Sequence, residues 1–106
     1  MTDLIQNEIF KRHNIKQENT FVILKDSRPI FVNNNLLDVI NFYEKDFNSI
    51  INSLTDEFKV ITKTEYPNDE KLLFRHNIDL YDKLTYSILK SIDVPLERIS
   101  YQIFKV

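Results

Sequence analysis

FVILKDSRPIFVNNNLLDVINFYEKDFNSIINSL, Phe21 to Leu54, reads as a β-hairpin running straight into a long amphipathic helix. Phe21 to Leu24 is an apolar run rich in strand formers, Asp26 and Ser27 have turn chemistry, and Ile30 to Val32 makes the returning strand. Pro29 has no N–H to give to a ladder, so it belongs at the start of that strand or facing away from a partner. Asn33, Asn34 and Asn35 then supply a helix cap. Beyond them apolar residues recur at Leu36, Ile40, Tyr43, Phe47, Ile50 and Leu54, in alternating steps of four and three. Leu37, Val39 and Ile51 widen this seam. About three heptads of such spacing suit a coiled-coil partner, but beside two strands they fit better a helix laid across a sheet.

On the N-terminal side, Thr2 or Asp3 caps a first helix to about His13, with Leu4, Ile5 and Ile9 on one face and Phe10 at its border. Asn14 stands where a glycine would close the helix, and Lys16 to Asn19 reads as a loop. On the C-terminal side, Thr55 and Asp56 break the long helix. Phe58 begins a third strand that continues to Tyr66, Pro67 to Glu70 form a turn, and Leu72 to Phe74 make a fourth strand. Asp79 is placed to cap a third helix with Tyr81, Leu84, Ile88 and Ile92 along one face, which Pro95 ends. The terminal ISYQIFKV is a fifth strand with apolar residues on both faces, the mark of a central position. The order αββαββαβ predicts an α+β fold: a five-stranded, mainly antiparallel sheet with helices packed mostly on one face.

The chain has 106 residues, enough for a single domain with one modest core and no metal or disulfide. Its net charge of −2 is spread without runs of one sign, which argues against a nucleic-acid partner bound by phosphate neutralisation. There is no cysteine, hence no disulfide framework and no thiolate metal site. The opening MTDLIQNEIF lacks the basic start and apolar run of a signal peptide, and no segment is long enough to span a bilayer, so a cytoplasmic location is expected. Glycine is absent altogether, which removes the P-loop, the dinucleotide fingerprint and the nucleophile elbow. It also leaves Asn, Asp or Ser to serve wherever φ must be positive. The wealth of Ile, Asn, Lys, Phe, Tyr and Leu, and the lack of alanine, match AT-rich codons and a bacterial, phage or plasmid genome.

VILKDSRPIFVN, Val22 to Asn33, resembles the opening of PAS domains: an apolar strand, a tight turn, a second strand and an Asn that caps the next helix. LLDVINFYEKDF, Leu36 to Phe47, is similar to the apolar helix, Gly-Tyr pair and acidic turn that follow in that family, with Asn41 for the glycine, Phe42 for the aromatic and Ser27 for the turn glycine. The resemblance covers about a quarter of the chain. It implies a sensory or protein-pairing module with a curved five-stranded sheet and no catalysis. Two features depart from the family: a seam unbroken through Asn41, and a helix between the fourth and fifth strands. No residues match a heme, flavin or chromophore attachment pattern, so no cofactor is expected.

His13 and His76 are the only histidines. His13 follows Lys11 and Arg12 at a helix end, where a cation suits the dipole. Arg75-His76-Asn77, read as following a strand and preceding a helix, offers an anion contact or a general acid–base, set against ordinary strand-end polarity. Lys59, Lys63 and Arg75 share one side of the second hairpin, either as a weak anionic contact or as a solvated face. The acidic pairs Glu44 and Asp46, Asp56 and Glu57, and Asp79 and Asp82 have no histidine at ligand spacing. With eight Phe and five Tyr the chain is rich in aromatics, and Tyr43, Tyr66, Tyr81, Tyr86 and Tyr101 are candidates for a protein interface. These readings converge on a small non-enzymatic module that binds a protein partner or pairs with itself. PAS-like sensing is one version and a phage or mobile-element inhibitor of a host or toxin enzyme another. The competing class is a ligand-binding or enzymatic domain with its site near Arg75 and His76, and the sensory version requires a cavity between the sheet and the helix from Leu36.

Overall fold

A computed structural model describes residues 2–89, 92 and 94–106. Among them the elements run α1 (Thr2–Arg12), β1 (Phe21–Lys25), β2 (Arg28–Asn33), α2 (Leu36–Ser53), β3 (Phe58–Glu65), β4 (Leu72–Asp82), α3 (Lys83–Leu89) and β5 (Glu97–Lys105). The strands form one antiparallel sheet in the order β2-β1-β5-β4-β3. The α+β class, the element order and the five-stranded sheet are therefore those read from the sequence, and β5 is central as its two-sided apolarity required.

The first hairpin turns through Asp26 and Ser27, with φ of 51° and 69°, the paired positive angles of a two-residue turn whose twist matches the strands. Asp26 is further tied to β5: its N–H donates to the Ser100 carbonyl and its Oδ1 accepts from the Ser100 N–H, both at 2.9 Å. These are the only positive-φ positions among the described residues. Asn14 needs no left-handed conformation, and α2 leaves through Leu54 in extended backbone (φ −77°, ψ 145°). Without glycine, the long helix simply opens into a strand-like residue at its end. Pro29 lies on β2, an edge strand, beside the irregularity at Ile23 and Leu24.

The helix from Leu36 is one unbroken element of 18 residues, capped by the Asn35 side chain, which accepts from the Asp38 N–H at 3.2 Å. Its buried face, Leu36, Val39, Ile40 and Tyr43, joins Ile5 and Ile9 of α1 over the inner face of the sheet. That face carries Phe21 and Ile23 from β1, Ile99, Tyr101 and Ile103 from β5, and Phe74, Ile78 and Leu80 from β4. A register shift between Leu72 and Phe74 turns both Leu73 and Phe74 into the core. Phe31 of β2 stacks on Phe42 of α2 with ring centroids 4.3 Å apart. The outer face of β3, β4 and β5 is polar and cross-paired: Arg98 holds Asp79 at 2.6 and 3.1 Å, and Ser100 donates to Asn77 at 2.7 Å.

The second half differs from its sequence reading in one respect with many consequences. β4 does not stop at Phe74; it runs to Asp82, paired on one side with β3 and on the other with β5. Phe74, His76, Ile78 and Leu80 alternate inward, so His76 occupies a slot in an apolar row and hides the period of two. Arg75, His76 and Asn77 are thus mid-strand, and Asp79 is a ladder residue rather than a helix cap. Asp82 is the cap, accepting from the Thr85 N–H at 2.6 Å and from its hydroxyl at 2.7 Å. Tyr81 belongs to the strand, where Tyr86 of the seven-residue α3 packs on its ring. Leu84, Ile88 and Ile92, expected along one face of a third helix with Tyr81, are exposed, and α3 itself ends at Leu89.

Candidate functional site

The helices shelter β1, β5 and β4 but leave the inner face of β3 open: Val60 is partly buried, while Thr62 and Thr64 are exposed. Between that uncovered strip and the helices lies a cleft of about 390 Å³, at the small end of the 300–1,000 Å³ usual for ligand sites. α2 forms its wall with Tyr43, Glu44, Phe47 and Asn48; Leu4 and Ile5 of α1 close one side. Thr62, Thr64 and His76 make the floor, with Tyr66 at the strand end. This is the cavity between the sheet and the long helix that a sensory reading of the sequence demanded.

His76 is 4 % exposed, the one buried polar side chain of its class among the described residues. Its Nδ1 is hydrogen-bonded to the Tyr43 hydroxyl, and the rings of Phe47 and Phe74 lie 4.8 and 6.3 Å from its own. Burial pushes its pKa below the ordinary imidazole value, so the ring is neutral at pH 7. The hydrogen bond joins the Tyr43 hydroxyl to Nδ1, leaving the second ring nitrogen without a partner among the described residues. Burial first, and the Glu44 charge second, raise the Tyr43 pKa and keep the phenol protonated.

Glu44 stands half-buried in the same wall. Its Oε2 accepts from the Thr2 hydroxyl, whereas its Oε1 is enclosed with no hydrogen-bond partner. Neither Lys nor Arg lines the cleft, so Glu44 is its one formally charged side chain. Two residues along α2, about half a turn on, Asp46 faces the opposite way. It accepts from the Tyr101 hydroxyl at 2.5 Å and from Lys25 Nζ at 2.9 Å, and the lysine also lies 5.7 Å over the Tyr101 ring. Burial pushes the Asp46 carboxyl up, but those two hydrogen bonds and the lysine charge outweigh it and hold the pKa below the usual range. Asp46 therefore anchors α2 to β1 and β5, while Glu44 is left to the cleft.

The tyrosines expected at an interface are largely inside. Tyr43, Tyr81 and Tyr101 are buried by the chain's own packing, and Tyr66 and Tyr86 are half-buried. Their polar tips are accommodated within: Tyr43 on His76 and Tyr101 on Asp46. The expected anion contact is also divided. Lys63 and Arg75 both pair with Glu65, at 3.0 and 3.1 Å, on the outer face of the sheet; Lys59 lies further along that face. His76 points through to the inner face and cannot join them. What sequence reasoning missed was the pairing of His76 with Tyr43 and the place of Glu44 in the same cleft, although Tyr43 sits on the seam it had traced.

The exposed apolar side chains gather elsewhere. Leu84 (76 % exposed), Ile88 (67 %), Ile92, Val94 and Leu96 all lie on the segment joining β4 to β5. Among the described residues no group of acidic and histidine side chains is arranged to hold a metal, and no helix is long and apolar enough to cross a membrane. No family model matches the chain, and neither does any curated protein or solved structure.

Proposed function

We propose that this chain is a small, PAS-like, non-enzymatic sensory domain that binds a small organic molecule in the cleft between α2 and the inner face of β3 and β4. The observation that carries the reading is the cleft itself, with a buried, neutral His76 on its floor. A buried imidazole fixed by a tyrosine hydroxyl is costly in an apolar core, and contact of its second ring nitrogen with a ligand gives it a use. The antiparallel five-stranded sheet and the β1–β2 hairpin agree with the PAS resemblance. The unbroken α2 and the helix between β4 and β5 depart from it, so the site is argued from this chain's own residues.

Screening the purified chain against a library of small aromatic and heterocyclic compounds by amide chemical shifts tests this. Ligands are expected to move the signals of Thr62, Thr64 and His76 together, and Thr62→Trp, which fills the cleft from an exposed position, is expected to abolish the response. A library that leaves all three signals unmoved overturns the reading.

A second reading has its own support in the exposed row from Leu84 to Leu96. An apolar strip of that kind suits a protein partner or a second copy of the chain, with the phage or mobile-element antagonist as one version.

A further inference from the structure

Resting on the cleft as a ligand site, we infer that its ligand is an organic cation: a protonated amine carried on an aromatic or similarly flat apolar body. The cleft has one formal charge, Glu44, and no basic side chain among its lining. That carboxylate is unusually placed. Among the described residues one oxygen is enclosed without a donor, the other is met only by the neutral Thr2 hydroxyl, and no Lys or Arg forms an ion pair with it. A half-buried carboxylate without a counter-charge attracts a cation more strongly than a fully solvated one does. Its neighbour two residues away, Asp46, shows the contrast: there β1 supplies a lysine, Lys25, at 2.9 Å.

The remaining walls fit the same ligand. Tyr43, Phe47 and Tyr66 present aromatic rings, the Tyr43 and Phe47 planes lying within 15° of parallel with centroids 6.2 Å apart. Such rings favour a flat apolar body and add cation–π attraction for an ammonium group beside them. His76, its pKa lowered by burial, adds no opposing positive charge, and its second ring nitrogen suits a polar group at the far end of the ligand. An anion of the same shape meets Glu44 with nothing to compensate it. The cleft therefore discriminates by charge first and by shape second.

Three compounds of nearly one shape test the inference: tyramine, 4-ethylphenol and 3-(4-hydroxyphenyl)propionate, which carry respectively a cation, no charge and an anion at pH 7. Each is titrated into the full chain and followed by the amide signals of Thr62, Thr64 and His76. Tyramine is expected to bind at least tenfold more tightly than 4-ethylphenol, the propionate weaker than either, and added salt to narrow the gap. Glu44→Gln, which keeps the acceptor for Thr2, is expected to bring tyramine down to the level of 4-ethylphenol, while Lys45→Gln leaves the ranking unchanged. The ranking on the unaltered chain stands as a test even where a variant fails to fold. Equal binding of tyramine and 4-ethylphenol at these residues overturns the cation inference and leaves the cleft a ligand site. Absence of binding by all three overturns it too, and the wider library then decides the fate of the cleft.

Discussion

Ser27 sits at φ 69° with no side-chain reason to be there. Its neighbour Asp26 also has a positive φ but secures it with two hydrogen bonds to Ser100 on β5. A residue with a Cβ in the left-handed region is disfavoured by about 1–2 kcal/mol, part of which glycine forfeits through its freer unfolded chain. Ser27→Gly is accordingly expected to stabilise the protein by about 0.5–1 kcal/mol, read as a raised urea midpoint at unchanged slope. Asp26→Gly is expected to do the reverse, because the bond that its Oδ1 accepts from the Ser100 N–H goes with the side chain. A chain without glycine thus concentrates its backbone cost in one turn, and that turn is where a single replacement repairs it.

α2 is pinned to the sheet at two places of opposite character: a neutral pair, Tyr43 with His76, and a charged one, Asp46 with Lys25 and Tyr101. They respond to acid in different windows. The folded chain lowers the His76 pKa by burial, while the unfolded chain protonates near pH 6.5, so below about pH 6.5 the unfolded state binds a proton that the native state refuses. Stability is expected to fall as pH drops from 7 to 5, by at most about 1.4 kcal/mol per pH unit per histidine. His13, lowered by burial and then by Lys105 and Arg12, acts in the same direction. His76→Gln is expected to flatten the urea midpoint against pH, leaving only the His13 share; an unchanged slope refutes this account of the core. Asp46, with its folded pKa lowered, contributes above the carboxylate range and loses its contribution only as pH falls through that lower value.

The same elements show what a sequence exposes and what it conceals. α2 was legible because its seam of four-and-three steps has no competing period, and Asn35 marks its start. β4 was concealed because the polar run Arg75-His76-Asn77 breaks the alternation at the one inward position, His76, that is not apolar. Once the strand was cut at Phe74, Asp79 passed for a cap and Tyr81 for a helical residue. The cleft was half legible: the need for a cavity under α2 followed from the resemblance, but its polar residues did not. Tyr43 reads as an interface tyrosine until its partner is known to lie 33 positions later, inside the sheet.

Over the whole molecule, five of the large apolar side chains left outside, Leu84, Ile88, Ile92, Val94 and Leu96, fall between β4 and β5. Leu84 and Ile88 lose little of their surface on folding, so the double variant Leu84→Glu, Ile88→Lys is expected to change stability by less than about 0.5 kcal/mol. Under the protein-binding reading it is also expected to convert a self-associating chain to a monomer in sedimentation velocity; a wild-type chain that is monomeric at every concentration removes pairing with itself from that reading. The sheet order has a temporal consequence as well. β1 and β4 meet only through β5, so the two hairpins stay unjoined for as long as Glu97–Lys105 is still within the ribosome. During that interval Ile23 and Phe74 have no strand between them, and the nascent protein has two loose halves waiting for a keystone.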